Sequence, residues 1–228
     1  MCGRFQIAWP WRELVELFRV SGGLPDELIV PRFNICPTYR VPIVLSLGGE
    51  RVAREMRWGF PATWLARQGK DPWSRVLFNA KAEDAPTKPT WRKAFRERRC
   101  LVPASGFYEW HKEGKARFPV LFSPADGKPR AFAGLWGSFK KGDDRIDCFT
   151  ILTTEPGDQV GAWHHRAAVV LDQADWDRWL DPSAPDVASL WRPPPALALS
   201  PVSTRLNDIK NTGADLMDPD WALPDQSV

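Results

Sequence analysis

Four short stretches place reactive side chains where they could act together. "MCGRF" puts Cys2 directly after Met1. Once Met1 is removed, which a small second residue permits, Cys2 carries a thiol and a free α-amine on neighbouring carbons. An α-amine titrates at about 7.7–8.0, so part of it is neutral at physiological pH and can attack an aldehyde to give a Schiff base. The thiol can then add to the imine and close a five-membered thiazolidine. On "MC" alone an inert cysteine is the plainer reading. "SGFYEW" sets Glu109 between Tyr108 and Trp110, and strand alternation sends the two rings to one face and the carboxylate to the other. Glu109 is then either a surface glutamate or a carboxylate in a partly apolar pocket, with a raised pKa suited to proton transfer. "AWHHRAAVVL" supplies two of the three histidines, His164 and His165, just before an apolar strand. A histidine there can protonate a departing oxygen or shuttle a proton, or simply be exposed. "FNAKAE" puts Asn79 and Lys81 on one face if extended, to hydrogen-bond a reacting group and to hold a phosphate, or else it is a strand end with a turn.

The elements that must position these groups are mostly short strands. "PWRELVELFRV" reads as a helix, with Leu14, Leu17 and Phe18 at helical spacing and Pro10 before its start. "VPIVLS" and "REMRWGF" read as strands, the second ending at Trp58, Gly59 and Pro61 in a long connection, "PATWLARQGKDPWSR". A connection of that length is a functional candidate. A basic helix is expected at about 90–99, then strands through "CLVPASGFYEWHKEGKARFPVLF", with a turn at Lys112–Lys115. Two more strands, "AFAGLWGSF" and "DCFTILTTE", flank the turn "KKGDD". A helix near Asp158–Trp163, the strand "AAVVL", a short helix in "DQADWDRWLD" and a proline-punctuated strand in "RPPPALALSPVS" complete the pattern. With no internal repeat or composition break, the expectation is one α+β domain over residues 2–219, built on curled, barrel-like antiparallel sheet, with a tail at 220–228.

Composition narrows the classes. The 228 residues are 43% hydrophobic and 26% charged, ordinary for a globular chain with a real core. No apolar run reaches membrane-spanning length, and the first residues lack a basic region followed by an apolar one. A cytoplasmic, nucleoid-associated monomer is therefore expected, with no membrane partner. Cys2, Cys36, Cys100 and Cys148 form no C-x-x-C pair and show no zinc spacing with His111, His164 or His165, so neither metal nor other cofactor is expected. Cys36, Cys100 and Cys148 read as buried small hydrophobes, with Cys2 set apart by its place at an end. Net charge is only +3, but "WRKAFRERRC" concentrates Arg92, Lys93, Arg96, Arg98 and Arg99 against Glu97. That block is either a solvated helix face or a phosphate-binding surface. Thirteen tryptophans against two tyrosines leave room for exposed indoles that stack on bases.

Together, "MCGRF", "PRFNICPT", "WGFPATW", "NAKAE", "RCLVPASGFYEW", "FAGLWGSF", "TILTTE", "HHRAAVVL" and "NDIKNTGADL" resemble, in order, the motifs of the SRAP family. These are the SOS response-associated peptidase-type proteins that sense abasic sites in single-stranded DNA. The resemblance runs from Cys2 to about Pro219. It implies a compact mixed fold with a basic cleft for single-stranded DNA, and a thiazolidine crosslink between the N-terminal cysteine and the ring-opened abasic aldehyde. Carried over by motif, Cys2 is the nucleophile, Asn79 and Glu109 are its neighbours and His164 is the motif histidine. Arg4, Lys81, Thr153 and Arg166 would line the DNA path, and Trp64 and Leu65 would stack on or wedge between bases. Two departures stand out. Lys81 replaces an arginine, keeping charge but losing a bidentate grip on phosphate. His165 replaces an acid beside His164, which withdraws support for an imidazolium there.

Two other classes fit parts of the same sequence. An N-terminal cysteine followed by glycine also suits an amidohydrolase or peptidase that uses its α-amine as base, with Met1 self-removal a related activity. A non-covalent single-stranded DNA-binding module, with Cys2 incidental, accounts for the basic block and the tryptophans.

Overall fold

The computed structural model describes residues 2–25, 31–184, 186–194 and 196–223. The chain opens with β1 (Phe5–Ile7), α1 (Trp11–Phe18), β2 (Arg32–Ile35), β3 (Arg40–Leu47) and β4 (Glu50–Trp58). Short strands β5 (Phe60–Pro61), β6 (Val76–Leu77) and β7 (Asn79–Lys81) precede α2 (Arg92–Glu97). The long strands follow: β8 (Arg99–Ala104), β9 (Gly106–Glu113), β10 (Ala116–Pro124), β11 (Arg130–Lys141) and β12 (Asp144–Thr154). Then come α3 (Gly157–Gly161), β13 (Ala167–Ala168), β14 (Val170–Leu171), α4 (Trp176–Leu180) and β15 (Leu197–Pro201).

Five strands close into a barrel in the order β12-β4-β3-β8-β11, with β11 pairing back to β12. The expected antiparallel curl holds at four of the five seams. The fifth, β12 against β4, is parallel, with Cys148 opposite Arg57 and Phe149 opposite Trp58. Closure removes the exposed sheet edges that an open sheet would present. A second sheet, β15-β10-β9-β1-β2, lies beside it. The two share one core, in which Phe5 meets Trp58 and Phe132 edge-to-face at 5.1 and 5.8 Å. Such aromatic pairs contribute roughly 0.5–1.5 kcal/mol beyond their buried area. Gly59, at φ +115°, ends β4, and a side chain there would strike the Val76 Cγ1 atom, 2.1 Å from an added Cβ. The backbone therefore swings into the β5–β6 pair and the long connection.

Local chemistry accounts for the remaining elements. α1 buries Trp11, Leu14 and Phe18, and Phe18 stacks on Trp176 of α4 at 4.1 Å. Leu17 is only half-buried. The long connection folds into 3-10 turns at Thr63–Gln68 and Pro72–Ser74. "AAVVL" is not one strand: it splits at Val169 into β13 and β14, which pair with β12 and β11 respectively. Packing continues past residue 219, because Asp220 accepts from Thr204 and Trp221 donates to the Val202 carbonyl at 2.9 Å. No described helix is long and apolar enough to cross a membrane.

The basic helix is shorter than expected, and Arg99 is not on its surface. Arg99 begins β8 and is buried, donating to the carbonyls of Trp179 at 2.6 Å, Phe95 at 3.0 Å and Asp181. The charge is held because a guanidinium's fan of donors can serve several carbonyls at once. Removing it strands buried acceptors, so Arg99→Ala should lower the unfolding free energy by about 2–4 kcal/mol, whereas exposed Arg92→Ala should change it by less than about 0.5 kcal/mol. Urea titration of both variants checks this, and equal effects would return Arg99 to the surface.

Candidate functional site

Cys2 is placed by its backbone. Phe5 pairs with Phe107 and Gln6 with Gly106, and the Tyr108 N–H donates to the Arg4 carbonyl at 3.0 Å. Continued by two residues, that antiparallel register sets Gly3 across from Glu109, with Cys2 one step beyond. From the other side, Asn79 Nδ2 donates to the Cys2 carbonyl at 2.8 Å. Asn79 sits at the start of β7, which runs parallel to barrel strand β12 with Asn79 opposite Ile151. The N-terminal segment is thus tied to the second sheet through Arg4 and to the barrel through Cys2.

All four cysteines are reduced and buried, Cys2 included, so its place at an end does not leave it exposed. Burial, and then the Glu109 charge, push its thiol far above the ordinary cysteine range. The sulfur is therefore a neutral thiol that needs a base to become nucleophilic. Glu109 is 6% exposed, and burial raises its pKa from 4.5 to about 7, with Lys112 pulling the other way. Both forms of this carboxyl are populated at neutral pH, which suits a group that must take and return a proton. The strand alternation expected for "FYEW" is observed at Tyr108 and only in part at Trp110. Tyr108 is buried in an apolar cluster with Leu121, Val202, Leu206 and Leu216, and Trp110 packs against that cluster while its half-exposed ring also lines the cavity that Glu109 lines.

Glu109 and His164 line one cavity of about 360 Å³, together with Arg4, Lys112, Trp163 and Asn207. His164 Nδ1 lies 3.0 Å from both the backbone N–H and the carbonyl of Arg166, so it can accept from the first or donate to the second according to its tautomer. Partial burial holds His164 below its usual pKa, and the His165 ring, stacked at 4.2 Å, adds to that effect. At neutral pH His164 is therefore an uncharged imidazole rather than an imidazolium.

The remaining residues singled out in the sequence divide into groups. Arg4 donates to Asn34 Oδ1 at 2.8 Å and to the Leu206 carbonyl at 2.5 Å, and lies over the Trp110 ring. Arg166 pairs with Glu83 at 2.7 Å and donates to the Thr153 carbonyl, while Thr153 Oγ1 donates to the Ala80 carbonyl at 3.4 Å. These bonds, with Lys81 opposite Thr153 in the β7–β12 register, bring Lys81, Thr153 and Arg166 to one edge beside Asn79. Lys81 is exposed there. Trp64 and Leu65 lie in the 3-10 turn of the long connection, Trp64 exposed and Leu65 half-buried. Trp64 is the one tryptophan among the described residues that ranks as exposed.

Sequence reading passed over two asparagines. Asn34 is 1% exposed, accepts from Arg4 and donates to the carbonyls of Leu206, Asp208 and Asn211. Asn207 accepts from Trp110 Nε1 and donates to the Arg117 carbonyl. Together they fix the 206–211 segment as a wall of the cavity. An asparagine within a strand pattern, at position 34 in "PRFNICPT", was the available signal.

A larger cavity of about 760 Å³ lies between α2 and the 182–191 region and contains none of Cys2, Glu109 or His164. Chemistry rather than volume therefore marks the first site. A carboxyl titrating near 7, a histidine and three basic residues line it, and the carboxyl's charge acts on the buried thiol of the tethered Cys2.

The chain belongs to the SOS response associated peptidase (SRAP) family, whose model matches residues 1–209. Among its relatives, the abasic site processing protein YoqW of Bacillus subtilis is 30% identical over 226 residues, spanning 96% of this chain and 99% of the relative. The abasic site processing protein YedK of Escherichia coli is 27% identical, spanning 96% of this chain and all of the relative. A crystal structure of a Bacteroides thetaiotaomicron protein shares the fold, with a TM-score of 0.80 at 19% identity, covering 96% of this chain and all of that one.

The raised pKa of Glu109 has a consequence for stability. A carboxyl with a folded pKa of about 7 and an ordinary unfolded value near 4.5 binds more protons when folded, so stability falls as pH rises through that window. Glu109→Gln removes the effect. The variant should gain on the parent by on the order of 2–3 kcal/mol between pH 5 and pH 8. Urea unfolding at both values checks this, and a constant difference would mean that Glu109 is ionised throughout.

Proposed function

We propose that this protein captures abasic sites in single-stranded DNA as a covalent thiazolidine on Cys2 after Met1 is removed. The observation that carries the proposal is the tether: Asn79 holds the Cys2 carbonyl while the β1–β9 register sets the segment beside a carboxyl poised near neutrality. The names of the relatives, which process abasic sites, support the substrate class.

The chemistry follows from the groups present. A ring N–H of His164 donates to the ring oxygen of the abasic deoxyribose as it opens to the aldehyde. The Cys2 amine attacks the aldehyde carbon, forming a C–N bond. Glu109 takes the amine proton and returns it to the hydroxyl that leaves as water, giving the imine. The Cys2 thiol then adds to the imine carbon, its proton passing to the nitrogen, and the ring closes. One water is lost overall. A buried, neutral thiol suits this order, because it stays unreactive until the imine is beside it. The same imine offers a β-elimination path that would cut the strand 3′ to the site, a lyase activity that ring closure suppresses. Running backwards, Glu109 also assists reversal of the crosslink. Exposed Lys81, together with Arg4 and Arg166, meets backbone phosphates, and exposed Trp64 with Leu65 meets bases, at roughly 1–3 kcal/mol per stacked base. The protein acts as a monomer, and removal of Met1 by the same site is the peptidase activity.

Intact mass after incubation with a single-stranded oligonucleotide bearing one abasic site tests the proposal. The expected product is Met1-free protein plus the oligonucleotide less one water, formed without reductant and absent for Cys2→Ala. Glu109→Gln should form and reverse the adduct at least about a hundredfold more slowly, the low end of the usual scale for losing a general acid–base group. No stable adduct from Met1-free protein would contradict the proposal, and glutamine or peptide hydrolysis without DNA would point to the amidohydrolase instead.

A further inference from the structure

The basic block of the sequence finds its place away from Cys2. α2 forms one wall of the 760 Å³ cavity, and the segments 182–184 and 186–191 form the other. Four cations line it, Arg92, Lys93, Arg96 and Arg99, against two acids, Glu97 and Asp186. Both acids already have partners: Glu97 pairs with Arg96 at 2.5 Å, and Asp186 with Arg178 at 3.8 Å. Arg92 and Lys93 are exposed and have no carboxylate within ion-pair distance among the described residues, and the carbonyls around Arg99 do not neutralise its charge. The cavity is therefore a cationic cleft.

Its apolar side is built for a ring. Phe95 and Trp191 meet edge-to-face with centroids 5.9 Å apart. Trp191 Nε1 is buried and has no acceptor among the described residues, an unmet donor of a kind that folded chains rarely keep. Cation, aromatic face and unmet donor together call for a ligand with an anion, a flat ring and an acceptor, which is a nucleotide. The location favours one source. Lys81, at the edge of the Cys2 site, is only five residues from Pro86 on the cleft rim, at most about 18 Å of chain. A strand whose phosphate meets Lys81 comes within a few nucleotides of the cleft.

We propose that the cleft between α2 and the 182–191 region is a second nucleotide subsite. It holds a flanking nucleotide of the same single strand, with its phosphate on Arg92 and Lys93 and its base against Phe95 and Trp191. This rests on the single-stranded DNA reading of the first site and extends its footprint.

The test compares single strands of about 5 and about 15 nucleotides, lengths that bracket a local site and a longer path. Affinity is read by anisotropy on unmodified strands, and adduct yield is read separately on abasic ones. The parent should bind the longer strand about tenfold more tightly. R92Q/K93Q should abolish that advantage, flatten the salt dependence by about 1.4 in log–log slope, and leave short-strand binding and adduct formation unchanged. Trp191→Phe keeps a ring and loses the N–H, so it should erode the advantage about threefold or more with an unchanged melting temperature. A length advantage that survives R92Q/K93Q overturns the subsite even when adducts form normally, whereas missing adducts with a sensitive length advantage would count against the abasic reading alone. A deoxynucleoside monophosphate and an acidic peptide with one aromatic residue serve as competitors against the long strand. Cleft-dependent competition by the nucleotide supports the proposal, and competition by the peptide alone overturns it in favour of a protein partner.

Discussion

The structure turns on how the first residues are held. A chain end ordinarily frays, because a few backbone bonds do not repay the entropy of ordering it. Here the Cys2 carbonyl accepts from Asn79 and the Arg4 carbonyl from the Tyr108 N–H, while Phe5 is locked between Trp58 and Phe132. Each bond is worth about 1 kcal/mol net, but together they span two sheets and fix the thiol to one place. Everything that makes Cys2 useful depends on that placement. The desolvation that keeps its sulfur protonated also raises the neighbouring carboxyl toward neutrality. One buried environment thus sets the protonation of both the thiol and the carboxyl.

The closed barrel supplies the stiffness this arrangement needs. Asn79 is rigid because β7 is zipped in parallel to β12, and β12 is held in turn by β4 and β11. Glu109 is rigid because β9 is paired on both sides, by β1 and by β10. The cavity wall is fixed by buried Asn34, which gathers three carbonyls of the 206–211 region and the Arg4 guanidinium in one network. Polar networks of this kind are costly when half satisfied and strongly ordering when complete. The site is therefore preorganised by strands, while exposed Lys81 lies at its margin two residues from Asn79.

Much of this was legible in the sequence, for identifiable reasons. Alternation in "GFYEW" placed Glu109 opposite Tyr108 and Trp110, and the structure buries Tyr108 in the apolar cluster, with Trp110 packed against it at the cavity rim. Helical spacing found α1. Barrel closure was not legible, since the parallel β12–β4 seam joins residues about ninety apart and leaves no local trace. Arg99 was misread for a related reason: a charged residue inside a basic run looks solvated until β8 carries it beneath Trp179. The break at Val169 depends on β11 and β12 being near enough to divide one apolar run between them. The buried roles of Asn34 and Asn207 come from contacts spanning 90 residues or more, which no local pattern reveals.

The measurement closest to the central claim is a direct titration of the Glu109 side-chain carboxyl by carbon-13 NMR, in protein lacking Met1 and without DNA. A midpoint near 7 would show a carboxyl that can both accept and return a proton beside Cys2 at physiological pH. A midpoint below about 5, in the ordinary range for a solvated glutamate, would leave the site without its proton carrier and contradict the account.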